Sequence, residues 1–230
     1  MSYKSVLANS IKVRVVMEKT VVLCDFDGTI TEIDTAEFVL DKFAQGDWRA
    51  IEALFEKGEI TLEECLRRQF SLVKISREQM LNALENVATF RLGFEEFARY
   101  CKDTGIPLVI VSAGLDFVIK HFFRVKNWKN LATIYMPKSR ATASGVEFKF
   151  PKCYYRTSVN FKHDLVRRYK GQGFRVIFIG DGSADFAAAA EADFAFAIKG
   201  SKLEKLCEKE KIPHINVRNF LEILESIRKI

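Results

Sequence analysis

Residues Val21–Thr29 read VVLCDFDGT, a short apolar run that leads into Asp25 and Asp27 and then directly into Gly28. The run has the length and the β-branched content of a buried strand. Side chains alternate across an extended backbone, so carboxylates at i and i+2 point to the same side of it. Two such carboxylates repel each other unless a cation or a shared proton compensates. The pattern favours a metal site over the plainer alternative, an acidic turn whose aspartate caps the next helix.

Two more apolar runs end in polar residues that suit the same chemistry. Pro107–Val111 (PLVIV) is followed by Ser112 and Ala113, and Phe174–Ile179 (FRVIFI) is followed by GDGSAD at 180–185. A segment with helical character follows each run, which is typical of parallel strands joined by helices. The carboxyl ends of such strands share one edge of the sheet, where ligands of open α/β folds bind. We therefore expect one crevice to contain Asp25, Asp27, Ser112, Asp181 and Asp185.

The acidic residues at this edge suit phosphoryl transfer. A carboxylate can attack phosphorus and form an acyl phosphate, which makes Asp25 the predicted nucleophile. Asp27 is the predicted proton donor to the leaving alcohol and then the base for water. Mg²⁺ prefers oxygen ligands, and the predicted metal ligands are Asp25, Asp27 (through its backbone carbonyl), Asp181 and Asp185, the last also being able to hold a neighbouring lysine.

The predicted substrate contacts surround these acids. Ser112 and the Ala113 amide are predicted to donate to phosphate oxygens, as helix N-termini commonly do, and Phe26 lies between the two aspartates. Lys162 is predicted to neutralise charge on the transferred group. Plainer interpretations stay open for each: a helix N-cap for Ser112, a surface lysine for Lys162, and turn or capping residues for the aspartates at 181–185.

Composition narrows the class of protein. With 230 residues, 48% of them hydrophobic, the chain can bury a substantial core. It contains no apolar run near the ~18 residues that span a bilayer. Five scattered cysteines with no CxxC pair favour reduced thiols, so we predict a cytoplasmic protein with no membrane partner. The formal charge of +6 is spread over mixed segments such as KLEKLCEKEK (202–211), and we predict no nucleic-acid partner.

The predicted organisation is a core with an insertion. Residues 1–19 are an N-terminal extension, and 20–33 and 89–230 form the core. Residues 34–88 form a helical cap, because they lack strand-like runs and contain three capping-box patterns. Residues 131–153 are predicted to be irregular backbone with one hairpin. The predicted fold class is α/β, a doubly wound, mainly parallel, Rossmann-like sheet with an inserted helical bundle.

The motifs DFDGT (25–29), Ser112, Lys162 and GDGSAD occur in the order seen in haloacid dehalogenase-like (HAD) phosphatases, which the chain resembles over about residues 20–228. The helical insert resembles the cap of the phosphoserine phosphatase-like branch, and DFDGTITEID (25–34) also resembles the methionine-salvage phosphatases. This resemblance implies a phosphatase with Asp25 as nucleophile, Asp27 as acid and base, and Mg²⁺ as cofactor.

The resemblance also locates candidate specificity residues. Phosphoserine phosphatases carry a glutamate soon after the first motif, where this chain has Asp34, and an arginine in the cap, where it has Gln69. Arg67 and Arg68 are nearby candidates to replace that arginine, of which Arg67 is chosen. Asp34 and Arg67 are therefore predicted to contact the substrate, a small phosphorylated metabolite of open identity.

Other functions also fit some of these residues. A phosphotransferase or phosphomutase would share the fold and the acids. A phosphoacceptor signalling module also uses acidic residues, a hydroxyl and a lysine around Mg²⁺, although it has no helical insert and its phosphorylated aspartate follows a later strand. A basic nucleic-acid-binding protein is disfavoured because the chain lacks interleaved aromatic and basic residues.

Overall fold

The computed structural model describes residues 19–229. Lys19 already belongs to the first strand, and the rest of the predicted N-terminal extension, residues 1–18, lies outside the described residues. The strands are β1 (Lys19–Cys24), β2 (Leu108–Val111), β3 (Thr133–Tyr135), β4 (Lys138–Thr142), β5 (Gly145–Lys149), β6 (Phe174–Gly180), β7 (Phe194–Ile198) and β8 (Ile215–Val217). The helices are α1 (Thr35–Phe43), α2 (Trp48–Glu56), α3 (Leu62–Ser71), α4 (Arg77–Glu85), α5 (Phe94–Asp103), α6 (Asp116–Val125), α7 (Phe161–Gly171), α8 (Phe186–Glu191), α9 (Lys202–Glu210) and α10 (Phe220–Ile227).

Six parallel strands form the main sheet in the order β3-β2-β1-β6-β7-β8. The chain moves outward from β1 on one side, returns to the other side of β1 through β6, and moves outward again. This reversal places the switch point of the strand order between β1 and β6, where the carboxyl ends form a crevice. The predicted doubly wound, mainly parallel α/β fold is confirmed, and the sheet brings together the residues that follow β1, β2 and β6.

The sheet is buried because its central strands are apolar on both faces. All of β2 and the last four residues of β1 are buried, as are the last five of β6. Such continuous apolar runs are expected where helices cover both faces of a parallel sheet. Within the described residues, no helix is long and apolar enough to span a bilayer. The cysteines are free in the structure, and four of the five are buried.

Four helices, α1 to α4, lie between β1 and the core helix α5, where the sequence predicts a helical segment. Side chains cap each of them: Asp34 accepts from the Glu37 amide at 2.8 Å and Asp47 from the Ala50 amide at 3.1 Å. At α4 the predicted capping box is reciprocal, since the amides of Ser76 and Gln79 each donate to the side chain of the other. These caps satisfy amides that a short helix would otherwise leave unpaired.

Two details of the fold differ from the sequence-based prediction. Residues 133–135, predicted to be irregular, form β3 and pair with β2 from Val109 to Val111. The helix after β2 begins at Asp116 rather than at Ser112, so the Ser112 hydroxyl is not its N-cap. The predicted hairpin is present, since β4 and β5 pair antiparallel around residues 143 and 144.

Candidate active site

A cavity of about 500 Å³ opens at the carboxyl edge of the sheet, between the ends of the central strands and helices α1 to α3. Among the described residues, this cavity brings together most of the residues predicted to be functional. Its lining includes Asp25, Asp27, Asp34, Ser112, Ala113, Lys162, Asp181 and Asp185.

Three carboxylates form a compact cluster at the base of the cavity. Asp25, Asp181 and Asp185 each offer an oxygen, and these oxygens lie within 4.8 Å of one another. The Lys162 Nζ lies 2.9 Å from the Asp25 Oδ1 and 2.7 Å from the Asp185 Oδ1. One ammonium therefore partly offsets three carboxylates, and the remaining negative charge suits a divalent cation.

The elements that position Lys162 and Asp185 are tied together locally. Lys162 is the second residue of α7, whose N-cap Asn160 accepts from the His163 amide and donates to the Ala184 carbonyl at 2.9 Å. Asp185 is fully buried, and its Oδ2 accepts from the amides of residues 181 and 182 at 3.1 and 3.0 Å. The geometry shows Asp185 holding the lysine and the backbone of its own loop.

Asp181 is positioned by the loop that follows β1. Thr29 Oγ1 donates to the Asp181 Oδ1 at 2.7 Å. Gly28 has a φ of +72°, and a Cβ at this position would lie 2.2 Å from the Asp181 Oδ2. Glycine is therefore required here both for the left-handed backbone and for the close approach of the carboxylate.

Asp27 lies beside this cluster with a different set of partners. Thr35 Oγ1 donates to its Oδ1, and Ser112 Oγ donates to its Oδ2 at 3.2 Å. Ser112 Oγ in turn accepts from the Gly114 amide at 2.9 Å. The Asp27 carboxylate is not among the three clustered carboxylates, so a metal contact by Asp27 stays a prediction for its backbone carbonyl alone.

Burial and mutual repulsion control the protonation of these acids. Burial, followed by the charge of Asp185, raises the pKa of Asp25 well above its ordinary value and raises that of Asp181 to about 7. Burial also raises the pKa of Asp27, although the Thr35 hydrogen bond opposes this shift. Burial lowers the pKa of Lys162, but Asp185 and Asp25 outweigh it and raise the pKa, so the lysine stays charged.

These shifts predict how Mg²⁺ stabilises the protein at different pH values. An acid whose pKa is raised by folding binds more protons in the folded state, so the metal-free protein loses stability as the pH rises from about 4 to about 7. Mg²⁺ competes with those protons, so the rise in melting temperature on adding it should be several degrees larger at pH 7.5 than at pH 5.5. Differential scanning fluorimetry with and without Mg²⁺ measures this. A rise in melting temperature that is equal at both pH values, or larger at pH 5.5, would contradict a metal site at these carboxylates. Asp181→Asn should reduce the difference between the rises at the two pH values.

Three other predicted substrate contacts have different outcomes. Asp34 lines the cavity, where burial and the charge of Asp27 raise its pKa. The Phe26 ring is fully buried and packs against Phe123, so its side chain does not line the cavity. Arg67 does not line it either, because its Nη1 donates to the Phe148 carbonyl at 2.8 Å. The position of Arg67 contradicts its predicted role in substrate binding.

Arg91 is a cavity-lining residue that the sequence analysis missed. Its Nε and Nη2 donate to the carbonyls of Thr29 and Gly28 at 2.8 and 2.7 Å, and its Nη1 donates to the Arg218 carbonyl at 3.2 Å. Arg91 thus fixes the backbone of residues 28 and 29, the loop that positions Asp181. The preceding residue, Phe90, forms an isolated bridge with Thr31, which brings Arg91 to this loop, and no pattern in the sequence marks that contact.

Comparison with known proteins assigns the family. Residues 22–190 match the haloacid dehalogenase-like hydrolases. The chain belongs to this family. The resemblance noted from its motifs is therefore confirmed.

Relatives of known name refine this assignment. The 2-hydroxy-3-keto-5-methylthiopentenyl-1-phosphate phosphatase of Brevibacillus brevis is 30% identical over 218 residues, covering 93% of this chain and 97% of the relative. Pdp3-interacting factor 1 of Schizosaccharomyces pombe is 27% identical, covering 91% and 95%. The family and its phosphatase relatives make this HAD chain a phosphoric monoester hydrolase.

A solved structure supports the fold. The phospho-aspartyl intermediate analogue of a phosphoserine phosphatase superposes with a TM-score of 0.68, at 22% identity, over 91% of this chain and 99% of the other. At this identity the likeness shows the fold alone. It agrees with the α/β fold described above.

Proposed function

We propose that this HAD hydrolase is a Mg²⁺-dependent phosphatase that releases phosphate from a small phosphorylated metabolite through a phosphorylated Asp25. The observation that carries the proposal is the cluster of Asp25, Asp181 and Asp185, in which Lys162 bridges Asp25 and Asp185. The donor set fits Mg²⁺, because it consists of carboxylate oxygens that approach one another within 4.8 Å. When bound, Mg²⁺ would neutralise charge on the phosphoryl group and hold it in line with Asp25.

The first half of the reaction assigns work to two aspartates. A carboxylate oxygen of Asp25 attacks phosphorus while the bond from phosphorus to the ester oxygen breaks. Asp27, whose hold on a proton is strengthened by the burial that raises its pKa, gives its proton to that oxygen, and the alcohol leaves. Thr35 and Ser112 hold the Asp27 carboxyl in place, and Lys162 offsets charge on the phosphoryl oxygens.

The second half regenerates the enzyme. Water attacks phosphorus as Asp27 takes one of its protons, and the bond from phosphorus to the Asp25 oxygen breaks. Inorganic phosphate and the free carboxylate result. Asp27 ends protonated and ready for the next cycle, so no other reactant is consumed.

Residues 34–88, which contain helices α1 to α4, are the proposed cap. Helices α1 to α3 contribute one wall of the cavity, including Glu37, Glu52 and Gln69. A wall opposite the nucleophile contacts the leaving alcohol rather than the phosphate, so these helices should set substrate choice. The cap would also exclude water while the first displacement occurs.

Phosphate release from a panel of phosphorylated metabolites tests this function. Turnover should require Mg²⁺, stop in EDTA, and resume when Mg²⁺ is restored in excess. Undiminished turnover in EDTA would contradict the metal assignment. A phosphorylated protein that persists for many minutes would instead indicate a phosphoacceptor module, and dependence on a bisphosphate without net phosphate release would indicate a phosphomutase.

A further inference from the structure

The cap wall of the cavity carries carboxylates but no cation among the described residues. Within the described structure, helices α1 to α3 contribute the carboxylates of Glu37 and Glu52 to the lining and no basic side chain, and Asp34 at the start of the cap adds a further carboxylate. The amide of Gln69 and the thiol of Cys65 are the other polar side chains from these helices, apart from the Trp48 indole. The remaining wall is mainly apolar, formed by Leu40, Trp48, Phe55, Leu62, Leu66 and Phe70.

Glu52 is held in place rather than free to swing into solvent. Its Oε2 accepts from the Gln69 Nε2 at 2.8 Å and lies 3.6 Å from the Cys65 Sγ. Gln69 is only 2% exposed, and its Nε2 also reaches the Trp48 carbonyl at 3.5 Å. A buried amide thus orients a carboxylate at the wall and fixes the position of its negative charge.

The cations that line the cavity do not cancel this charge. Lys202 on α9 is shared among three carboxylates, closest to Glu56 at 2.9 Å and farther from Glu52 and Glu37, at 3.8 and 3.9 Å. The donors of Arg91 are directed to backbone carbonyls. Among described residues, Lys162 pairs with the catalytic acids, and the remaining lining cation is Lys199, exposed on the core side.

From this geometry we infer that Glu52, oriented by Gln69, is a specificity-determining residue that rejects phosphate esters whose alcohol carries a carboxylate. The inference rests on the proposed phosphatase function and names its substrate class. The favoured alcohols carry a hydroxyl or an ammonium group that donates to Glu52, together with an apolar portion that packs on the wall. Selection comes from repulsion of the wrong substrate as much as from attraction of the right one.

Matched pairs of esters isolate the effect of one carboxylate. Phosphoethanolamine and phosphoserine differ only by that group, and glycerol 3-phosphate and 3-phosphoglycerate differ only at the corresponding carbon. Each is titrated as a competitor of para-nitrophenyl phosphate hydrolysis in Mg²⁺, followed by nitrophenolate absorbance, so the readout does not require that the competitor be turned over. The member without the carboxylate should bind at least about tenfold more tightly, because a like charge a few ångströms away exceeds one tenfold step in affinity.

Charge-removing variants locate the effect. Glu52→Gln keeps the shape and a hydrogen bond to Gln69, and should reduce the ratio within each pair severalfold, mainly by tightening the carboxylate-bearing member. Glu64→Gln removes the same charge from the outer face of α3, where Glu64 pairs with Arg68 outside the cavity, and should leave the ratios unchanged.

The outcomes distinguish failure of the inference about Glu52 from failure of the proposed phosphatase function. Equal or tighter binding of the carboxylate-bearing members, or identical ratios in Glu52→Gln and Glu64→Gln, would overturn the role of Glu52 while leaving the phosphatase intact. Absence of para-nitrophenyl phosphate hydrolysis in Mg²⁺ would count against the phosphatase itself.

Discussion

Asp25→Asn is expected to lower kcat for phosphate release on the order of a thousandfold or more. The amide is nearly isosteric with the carboxylate but cannot donate an electron pair to phosphorus as a carboxylate oxygen does. The variant should fold, because burial raises the pKa of Asp25 and removing that charge relieves repulsion within the cluster. Lys162 keeps its partner Asp185 at 2.7 Å. Phosphate release under saturating substrate and Mg²⁺ measures the loss.

A matched control separates the loss of the nucleophile from the general effect of an Asp→Asn substitution on the protein. Asp41→Asn makes the same substitution on α1, where Asp41 pairs with Arg49 at 2.7 Å and does not line the cavity. It should retain nearly full activity, since an exposed ion pair contributes little to stability. Retention of more than about a tenth of the wild-type kcat in Asp25→Asn would show that the nucleophile lies elsewhere.

The main features of the site could be predicted because they depend on local pattern and on one rule of sheet geometry. Three apolar runs each end in residues of the required chemistry, and parallel strands place their carboxyl ends on one edge. Asp25, Ser112 and Asp181 therefore converge although 156 positions separate the first from the last. Lys162 could be predicted only with the help of the family resemblance, because several other lysines lie near it in the sequence.

The roles that could not be predicted depend on the direction in which a side chain leaves its helix and on tertiary contacts. Arg67 and Gln69 are two positions apart on α3, which is about 200° around a helix. Once Gln69 faces the cavity, Arg67 must face away, and it reaches the Phe148 carbonyl on the β5 hairpin strand. Arg91 and Thr35 act through bonds to the loop after β1, and no local pattern marks an arginine or a threonine for that role. The strand β3 is too short, at three residues, to show a periodicity.

Gly28→Ala should lower kcat by about a hundredfold and weaken activation by Mg²⁺, because it displaces Asp181, a proposed metal ligand, rather than removing it. The added Cβ would lie 2.2 Å from the Asp181 Oδ2 and 2.7 Å from its Cγ. The Asp181 side chain must move, although Thr29 holds its other oxygen at 2.7 Å. A misplacement of about 1 Å at a reacting centre can cost on the order of a hundredfold in rate.

Gly58→Ala is the control for backbone strain, because it introduces the same strain without a clash. Gly58 follows α2 with a φ of +73°, almost the value of +72° at Gly28, and an added Cβ there meets no atom within 4 Å. Both variants should lose a similar stability of roughly 1 kcal/mol from the left-handed backbone, visible as a small fall in melting temperature. Only Gly28→Ala should raise the Mg²⁺ concentration required for half-maximal activity. If the two variants matched in kcat and in Mg²⁺ dependence, Asp181 would have no part in the reaction, and the metal would have to be held without it.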